Sequence, residues 1–391
     1  MANPVRVLFV HNSVLIGGGN RVLLGLFEKL NRKRFEPWSL LPVEGPMETE
    51  LRDREVPYIV EDVLTCVTTG SRLSQFAAAA AYAWKTSNKR FRILHAQSPL
   101  SYRVPSLVSK LSCAKRICHL HFPAEKLDGE LGYTFRVEPH FVIACSESVA
   151  QSYRPLLEAS YPRVPLRVLV NFADTKRFSP GPPPPALIGE LGIGGKGPII
   201  TLCGQVSVRK GHADLLKAAR LVLAKLPSAV FLIVGEDILL RGEYERRMKS
   251  MAEELGIAAS VKFLGFRSDV HDVLRATDLV VLPSYAEGMP LSLIEASACA
   301  KPIVAYNIPG VDEVIEDGRT GRWVPVGDVD ALARVICELT AAPELLKAMG
   351  TQGRRRVEEQ FTLEAYTQRL EQMYEEILTA RPANRAAQAP S

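Results

Sequence analysis

The chain has 391 residues, which at roughly 150 residues per domain predicts two domains, each long enough to bury a core. Hydrophobic residues make up 47% and charged residues 23%, as in an ordinary soluble globular protein, and no apolar stretch approaches the roughly 20 residues needed to cross a bilayer. The net charge of +5 divides into +8 for residues 1–180 (24 basic against 16 acidic) and −3 for residues 181–391 (24 against 27). The basic half either attracts an anionic partner or an acidic membrane, or is simply a solvated surface.

Short β-branched runs alternate with helical patterns along the chain, which predicts parallel sheets covered by helices on both faces. In the first half the strand candidates are residues 5–10, 92–96, 141–145 and 167–170. Residues 71–92 form an Ala-rich helix candidate with Trp84 and four cations toward its end. This helix either packs by its alanines or lies on an anionic membrane.

A glycine loop follows the first strand. Gly17, Gly18 and Gly19 lead into an amphipathic helix, and their missing side chains let a ligand approach the backbone and the helix N-terminus. The loop departs from the dinucleotide fingerprint Gly-x-Gly-x-x-Gly, and no acidic residue stands in the usual setting about twenty positions on, after a second strand. It is therefore either a ligand loop or a tight structural turn.

His121 follows the strand-like run at residues 115–118, where it would emerge at the strand end at which open α/β sheets bind ligands. It is either a ligand contact or a buried histidine satisfied by a backbone carbonyl. Cys118 and His119 lie beside it, but alternation along a strand argues against a shared metal site. We expect no metal site.

The second half repeats the strand and helix alternation. Prolines and glycines at residues 179–197 cannot sustain a helix or a central strand and predict a linker between domains at 1–178 and 198–353. A helix is expected over residues 354–380 and a disordered tail over 381–391. The strand candidates are residues 198–204, 230–235, 261–265, 279–283 and 302–306.

Arg209 and Lys210 lie on a loop after a strand and just ahead of a helix. Two adjacent cations beside a helix N-terminus suit a diphosphate leaving group, whose negative charge grows as its bond breaks. The alternative is a solvated pair of cations on a loop.

Glu287 and Glu295 flank the start of a helix that is predicted to open near Pro290. Unpaired backbone N–H groups at such a start attract an anion such as a diphosphate. Glu295, about a turn and a half further in, could reach a vicinal diol, because a carboxylate accepts two hydrogen bonds side by side. The combination suits nucleotide-sugar chemistry, unless the two glutamates are only solvated or capping groups.

With its flanks, the segment at residues 284–321 resembles the nucleotide-sugar signature of family 4 glycosyltransferases, which are retaining enzymes. The segments ACSES (144–148) and VNFADTKRFSP (170–180) match the same family. The resemblance implies the α/β GT-B fold, with two Rossmann-like domains facing across a cleft and a last helix that crosses back to the first domain. Gln205 stands where many members have arginine, and Phe172 where many have glycine.

The resemblance also implies roles for single residues. His121 would face the donor sugar and Glu287 the sugar hydroxyls and the reacting centre, so these two are the predicted catalytic residues. Glu295 would hold the ribose hydroxyls, Lys210 would neutralise the diphosphate, and Arg209 would replace the charge missing at Gln205. The remaining predicted donor contacts are Gly18, Gly19, Gly265, Met289, Leu291 and Ser292.

The sequence therefore predicts a retaining glycosyltransferase of the hexosyltransferase type, which needs neither a cofactor nor a metal. It would move a sugar from a nucleotide diphosphate sugar to a glycan, a lipid-linked or a small-molecule acceptor, in surface polysaccharide assembly. Seven cysteines without a Cys-x-x-Cys pair and a first apolar run too short for a secretory leader indicate the cytoplasm. A peripheral contact with the anionic inner face of the membrane fits this location, and nucleic acid is not an expected partner.

Two other functions fit the same architecture. One is a nucleotide-sugar epimerase, and the other is a non-catalytic protein that binds nucleotide sugars. The side chains near the predicted base site do not distinguish UDP-, GDP- and ADP-linked donors, and the sequence does not specify the acceptor, the linkage or the oligomeric state.

Overall fold

The computed structural model describes residues 3–62, 89–107, 113–124, 135, 137–195, 197–238 and 240–379. The chain divides into two compact units. The first unit comprises Met1–Ala144, Ala150–Leu169 and Glu364–Ser391, and the second comprises Cys145–Val149 and Val170–Leu363. Most of the Ala-rich helix predicted at 71–92, and the whole tail predicted at 381–391, lie outside the described residues.

A parallel sheet forms the centre of the first unit. Its seven strands lie in the order β3-β2-β1-β4-β5-β6-β7. The strands are β1 (Val5–Val10), β2 (Phe35–Leu41), β3 (Tyr58–Val60), β4 (Ile93–Ala96), β5 (Lys115–Leu120), β6 (Phe141–Ala144) and β7 (Leu166–Val168). The helices that alternate with them in the described residues are α1 (Gly18–Lys29), α2 (Pro46–Asp53), α3 (Pro99–Leu107) and α4 (Glu147–Ser160).

The second unit contains a parallel sheet of six strands in the order β10-β9-β8-β11-β12-β13. These are β8 (Ile199–Cys203), β9 (Val230–Val234), β10 (Val261–Gly265), β11 (Leu279–Leu282), β12 (Ile303–Tyr306) and β13 (Gly321–Val324). Its described helices are α5 (Pro185–Leu191), α6 (His212–Lys225), α7 (Glu243–Glu254), α8 (Val270–Arg275), α9 (Leu291–Ala298), α10 (Val329–Thr340) and α11 (Pro343–Gln360). Short 3₁₀ turns occur at Val208–Lys210 and Ala258–Ser260.

Each sheet has one point at which the order of its strands reverses. In the first unit this point lies between β1 and β4, and in the second it lies between β8 and β11. The connections on either side of such a point leave in opposite directions, which opens a crevice outside the carboxyl ends of the two strands. The loops that follow β8 and β11 therefore border the expected ligand crevice of the second unit.

Most of the strands that the sequence predicts are wholly buried. β4, β6, β8, β9, β11 and β12 consist of buried residues, which are apolar except for His95 in β4 and Thr201 in β8. The sequence also predicts β7 and β10, although most of their residues are only partly buried or exposed. It does not predict β2, β3 and β13. β2 contains Pro37, and polar residues interrupt its apolar ones. β3 has only three residues, all half-buried, and β13 is an edge strand that contains Arg322.

The last helix, α12 (Leu363–Thr379), packs within the first unit, as predicted. Tyr374 is fully buried, and its hydroxyl lies 2.7 Å from His95 Nδ1. Residues 354–380 do not form one continuous helix, however, because α11 ends at Gln360. There Phe361 O accepts a hydrogen bond from Ala173 N at 3.0 Å and Thr362 forms a parallel bridge with Ala173, which takes both residues out of the helix.

The described helices differ from membrane spans in length or in polarity. Within the residues given above, none is both long enough and apolar enough to span a bilayer.

Candidate functional site

Three of the predicted residues meet at the switch point of the second unit. Arg209 and Lys210 lie in the 3₁₀ turn after β8, and Glu287 lies on the loop after β11. The two strands are neighbours, with Ile200 paired to Leu279, so their loops leave the same sheet edge side by side. Residues that are distant in sequence are thus brought together by the parallel topology.

Both cations contact the same carboxylate oxygen. Glu287 Oε1 lies 2.7 Å from Lys210 Nζ and 2.9 Å from Arg209 Nη1. The arginine nitrogen also donates to Ala286 O at 2.7 Å. Lys210 is 7% exposed and Glu287 5% exposed, so this ion pair lies in a poorly solvated place. Because two cations share one carboxylate, the cluster keeps a net positive charge that favours an anionic ligand.

Glycines allow the two loops to approach closely. The side chain of Lys210 passes over Gly204, where a Cβ would lie 3.2 Å from Lys210 Cε. Gly211 has φ +70°, and a Cβ there would lie only 1.9 Å from Pro283 O. The two loops are also joined by a backbone hydrogen bond, in which Tyr285 N donates to Arg209 O at 2.8 Å. Backbone contacts as well as charges therefore hold the loops together.

The charge state of Glu287 follows from its surroundings. Burial raises the pKa of its carboxyl group, but the charges of Lys210 and Arg209 and the hydrogen bonds from Lys210 and Ser284 outweigh burial. The pKa of Glu287 therefore lies below its ordinary value. The side chain is a carboxylate at neutral pH, able to accept hydrogen bonds from hydroxyl groups.

α9 begins directly after this cluster, at the position expected from Pro290. Leu293 N donates to Pro290 O at 3.1 Å, so the N–H groups of Leu291 and Ser292 precede the first bonded position of the helix. Such amides, with the positive end of the helix dipole, form a site suited to an anion. Glu295 lies one turn further along the same side, four residues after Leu291, and is buried.

Gly265 lies farther along the same edge of the sheet. It ends β10, two strands from β8, with φ +65°. Its carbonyl accepts from Gly235 N at 2.8 Å, and the next amide, Phe266 N, donates to Glu236 Oε1 at 3.3 Å. The Phe266 side chain is half exposed beside this turn.

The remaining predicted residues belong to the first unit. Gly17 is the N-cap of α1, and Gly18 is the first residue of the helix. A Cβ at Gly17 or Gly19 would meet no atom within 4 Å, and neither residue has a positive φ. Packing and backbone conformation therefore do not require glycine at these two positions, and their part in ligand binding stays a prediction.

His121 follows β5 at the same edge of the sheet, with β4 between its strand and β1. Its ring stacks on His119 at a centroid distance of 4.2 Å, and His119 stacks on His95 at 5.5 Å. Its Nε2 lies 3.4 Å from Gln97 Oε1. Burial lowers the pKa of His121 to about 4, so the neutral ring can donate a hydrogen bond from one nitrogen and accept one at the other.

Sequence reasoning missed a hydrogen-bond network behind the ion pair. Asp214, in the first turn of α6, accepts from the hydroxyl of Tyr306 at 2.9 Å and from that of Tyr285 at the same oxygen. The hydrogen bond between Tyr285 and Asp214, as the largest cause, and burial, as the second, raise the pKa of Tyr285 to about 12. The nearness of Asp214 to Lys210 and of Tyr285 to Glu287 in the sequence was the available signal.

Within the ranges given above, no group of three or more His, Cys, Asp or Glu side chains is arranged to hold a metal ion.

Comparison with known sequences places part of the chain in a family. Residues 185–356 match the family model "Glycosyl transferases group 1". A GDP-mannose-dependent monoacylated alpha-(1-6)-phosphatidylinositol monomannoside mannosyltransferase of Corynebacterium glutamicum is 33% identical over 52% of this chain and 54% of its own. The UDP-Gal:alpha-D-GlcNAc-diphosphoundecaprenol alpha-1,3-galactosyltransferase of Escherichia coli is 21% identical over 95% and 97%. The chain spans about half the length of the curated relatives that it matches at 32–34% identity.

Similar solved structures cover nearly all of the chain. The crystal structure of Anabaena HepE in complex with UDP and glucose superimposes with a TM-score of 0.83 at 20% identity, over 95% of this chain and 99% of that one. A sucrose-phosphate synthase from Thermosynechococcus elongatus gives 0.78 at 20% identity, over 96% and 100%. Residues 185–356 therefore match the model of the glycosyl transferases group 1, and the chain has the GT-B fold of these neighbours.

Proposed function

We propose that the protein is a retaining glycosyltransferase of family 4, which moves a sugar from a nucleotide diphosphate sugar to an acceptor hydroxyl without a metal ion. The observation that carries the proposal is the buried cluster of Glu287, Lys210 and Arg209 beside the N-terminus of α9. It combines a carboxylate for hydroxyl groups with positive charge for phosphates, at the edge of the sheet where such folds bind ligands.

The diphosphate of the donor fits the positive part of this cluster. Lys210 and Arg209 carry two charges against the one of Glu287, and the amides of Leu291 and Ser292 add the helix N-terminus. These groups oppose the charge that grows on the diphosphate as the sugar bond breaks. That arrangement supplies the neutralisation for which other enzymes use a metal ion.

The carboxylates fit the hydroxyl groups of the donor. Glu287 is ionised and accepts hydrogen bonds from the sugar near the reacting centre. Glu295 accepts hydrogen bonds from the two ribose hydroxyls. It is buried on α9, the helix whose first amides meet the phosphates. Met289, buried between Glu287 and the helix start, adds a backbone contact, and Gly265 with its neighbours lies beside the base.

Transfer proceeds with retention by front-side substitution. The oxygen of the acceptor hydroxyl forms the new bond to the anomeric carbon on the face from which the diphosphate leaves. The bond between the sugar and the diphosphate breaks, and the leaving phosphate oxygen takes the proton of the hydroxyl. The roles that the family resemblance implies for His121, Gly18 and Gly19 of the first unit stay predictions.

The nature of the substrates is supported by the names of the relatives. One relative is named as dependent on GDP-mannose and another as using UDP-Gal, so both take a nucleotide diphosphate sugar. Their acceptors are named as a phosphatidylinositol mannoside and a diphosphoundecaprenol-linked sugar. These names support our proposal of a lipid-linked or glycan acceptor, used in surface polysaccharide assembly at the cytoplasmic face of a membrane.

Calorimetric titration tests the proposal. The purified protein, without added metal, is titrated with UDP, GDP and ADP and their common sugar derivatives. We expect one nucleotide to bind tightly and Glu295→Ala to abolish that binding. An absence of binding to all three nucleotides would sink the proposal. Addition of EDTA is the control for metal independence and should leave both binding and transfer unchanged.

A further inference from the structure

Two short segments from the first half of the sequence belong to the second unit. They are Cys145–Val149, which contains most of the ACSES motif, and the start of the VNFAD motif at Val170. Each supplies one buried polar side chain to the loop between Glu287 and α9. The proposed function assigns no task to either motif.

Ser146 contacts the first carbonyl of this loop. The residue is fully buried, and its Oγ donates to Gly288 O at 2.8 Å. The same oxygen accepts from Val149 N at 3.2 Å and lies 3.0 Å from Ser148 Oγ. Because a serine hydroxyl has a single proton, donation to Gly288 O leaves it the acceptor in these other contacts.

The segment that carries Ser146 is held independently of that bond. Glu147 N and Ser148 N each donate to the carboxylate of Glu313 at 2.8 Å, which satisfies two amides at the start of α4. Loss of the Ser146 hydroxyl should therefore leave the segment in place. The effect of such a loss would be confined to the loop.

Asn171 contacts the next carbonyl. Its Nδ2 donates to Met289 O at 3.0 Å, and its own backbone N–H approaches Met289 Sδ at 3.2 Å. The residue is 5% exposed. Successive carbonyls of the loop, those of Gly288 and Met289, are thus each held by a side chain from the first half of the sequence.

These contacts orient one amide. The peptide between Gly288 and Met289 is trans, so the N–H of Met289 points away from the carbonyl that Ser146 holds. Gly310 fixes the carbonyl from another side, because a Cβ at Gly310 would lie 2.3 Å from Gly288 O. The peptide therefore has little freedom to turn over.

We infer that Ser146 and Asn171 are positioning residues of the anion site: they hold the Gly288–Met289 peptide so that the Met289 N–H is presented to the donor diphosphate. The inference rests on the proposed function, since it assumes that a nucleoside diphosphate binds beside α9. It gives the two motifs a task in binding without any contact of their own with the ligand.

The test compares two ligands in each variant. Ser146→Ala and the nearly isosteric, uncharged Asn171→Leu each remove a donor to the loop, and calorimetry measures the Kd of the preferred nucleoside diphosphate and of its nucleoside. Loss of one oriented hydrogen bond predicts roughly tenfold weaker binding of the diphosphate, with the nucleoside unchanged. Ser228→Ala is the matched control, because Ser228 Oγ also donates to a backbone carbonyl, that of Gly197, at the opposite edge of the same sheet.

The outcomes separate this inference from the proposed function. If the unchanged protein binds no nucleotide, the proposed function fails, and the inference falls with it. If it binds, but the ratio of the two Kd values in Ser146→Ala and Asn171→Leu equals that in Ser228→Ala, the inference alone is overturned. Should Ser146→Ala not fold, Asn171→Leu provides the same comparison without a change of charge, and a selective loss of diphosphate binding in it supports the inference.

Discussion

Lys210 Nζ and Glu287 Oε1 lie 2.7 Å apart, and both side chains are more than nine-tenths buried. The two residues are far apart in sequence and come from loops after neighbouring strands, so the sheet topology makes them partners. A buried charge without its partner is costly, so removal of either side chain should destabilise the folded protein. The pair therefore links the stability of the second unit to the chemistry of its proposed site.

Removing Lys210 should destabilise the protein as well as weaken nucleotide binding. In Lys210→Met, Glu287 stays buried with Arg209 as its remaining cation, so we expect a loss of about 3 kcal/mol in the free energy of unfolding. Urea unfolding followed by circular dichroism measures the loss. Lys217→Met is the control, because Lys217 is 53% exposed and lies 3.8 Å from Asp214, and its change should stay within about 0.5 kcal/mol. Equal losses in both variants would contradict the prediction.

Glu287→Gln should separate binding from transfer. The amide keeps the size of the side chain but removes the charge that would stabilise the reacting sugar, so we expect the rate of transfer to fall about 10²–10³-fold. The nucleotide should still bind, since its phosphates meet Lys210, Arg209 and the amides of α9. Single-turnover assays with the identified donor measure the first quantity and calorimetry the second. Transfer at the unchanged rate would remove Glu287 from the mechanism.

Gly211→Ala should distort the cluster through the backbone. A Cβ there adds strain at φ +70° of about 1–2 kcal/mol and meets Pro283 O at 1.9 Å, which forces the two loops apart. We expect a total loss of about 3 kcal/mol and weaker nucleotide binding. Gly318→Ala isolates the strain, because Gly318 has φ +75° with no atom within 4 Å of the added Cβ. A Gly211 variant no less stable than the Gly318 variant would show that the close approach of the loops is unimportant.

The extent to which the sequence could predict this site differs between its parts. β8 and β11 are continuous buried apolar runs, and the helix start at Pro290 has a local signal, so Lys210, Glu287 and α9 could be placed beforehand. Ser146 and Asn171 could not, because a side chain that donates to a distant backbone carbonyl leaves no periodic pattern. The same reason applies to Asp214 with Tyr306, and β13 escaped prediction because an edge strand with Arg322 resembles a loop.

The buried histidines should make the first unit sensitive to acid. Burial lowers the pKa of His11 to about 4 and of His95 to about 3, and burial with the neighbouring His121 and His95 lowers that of His119 well below its ordinary value. For His11 and His95, the unfolded chain binds the proton near pH 6.5, whereas the folded chain binds it only near pH 4 and pH 3, respectively. Stability is therefore complete above pH 6.5 and is lost as the pH falls toward 4, by up to about 1.4 kcal/mol per pH unit for each histidine.

His119→Phe tests this sensitivity with little change of shape. Both ring nitrogens of His119 are buried and have no hydrogen-bond partner among the described residues, so an apolar ring in the same stack should not destabilise the protein at pH 7. As the pH falls below 6.5 the variant should lose less stability than the unchanged protein, by up to about 1.4 kcal/mol for each pH unit, because it has one histidine fewer to protonate on unfolding. Urea unfolding at half-unit steps of pH measures both slopes. Parallel slopes would mean that His119 is protonated equally in the folded and unfolded chain, contrary to its burial.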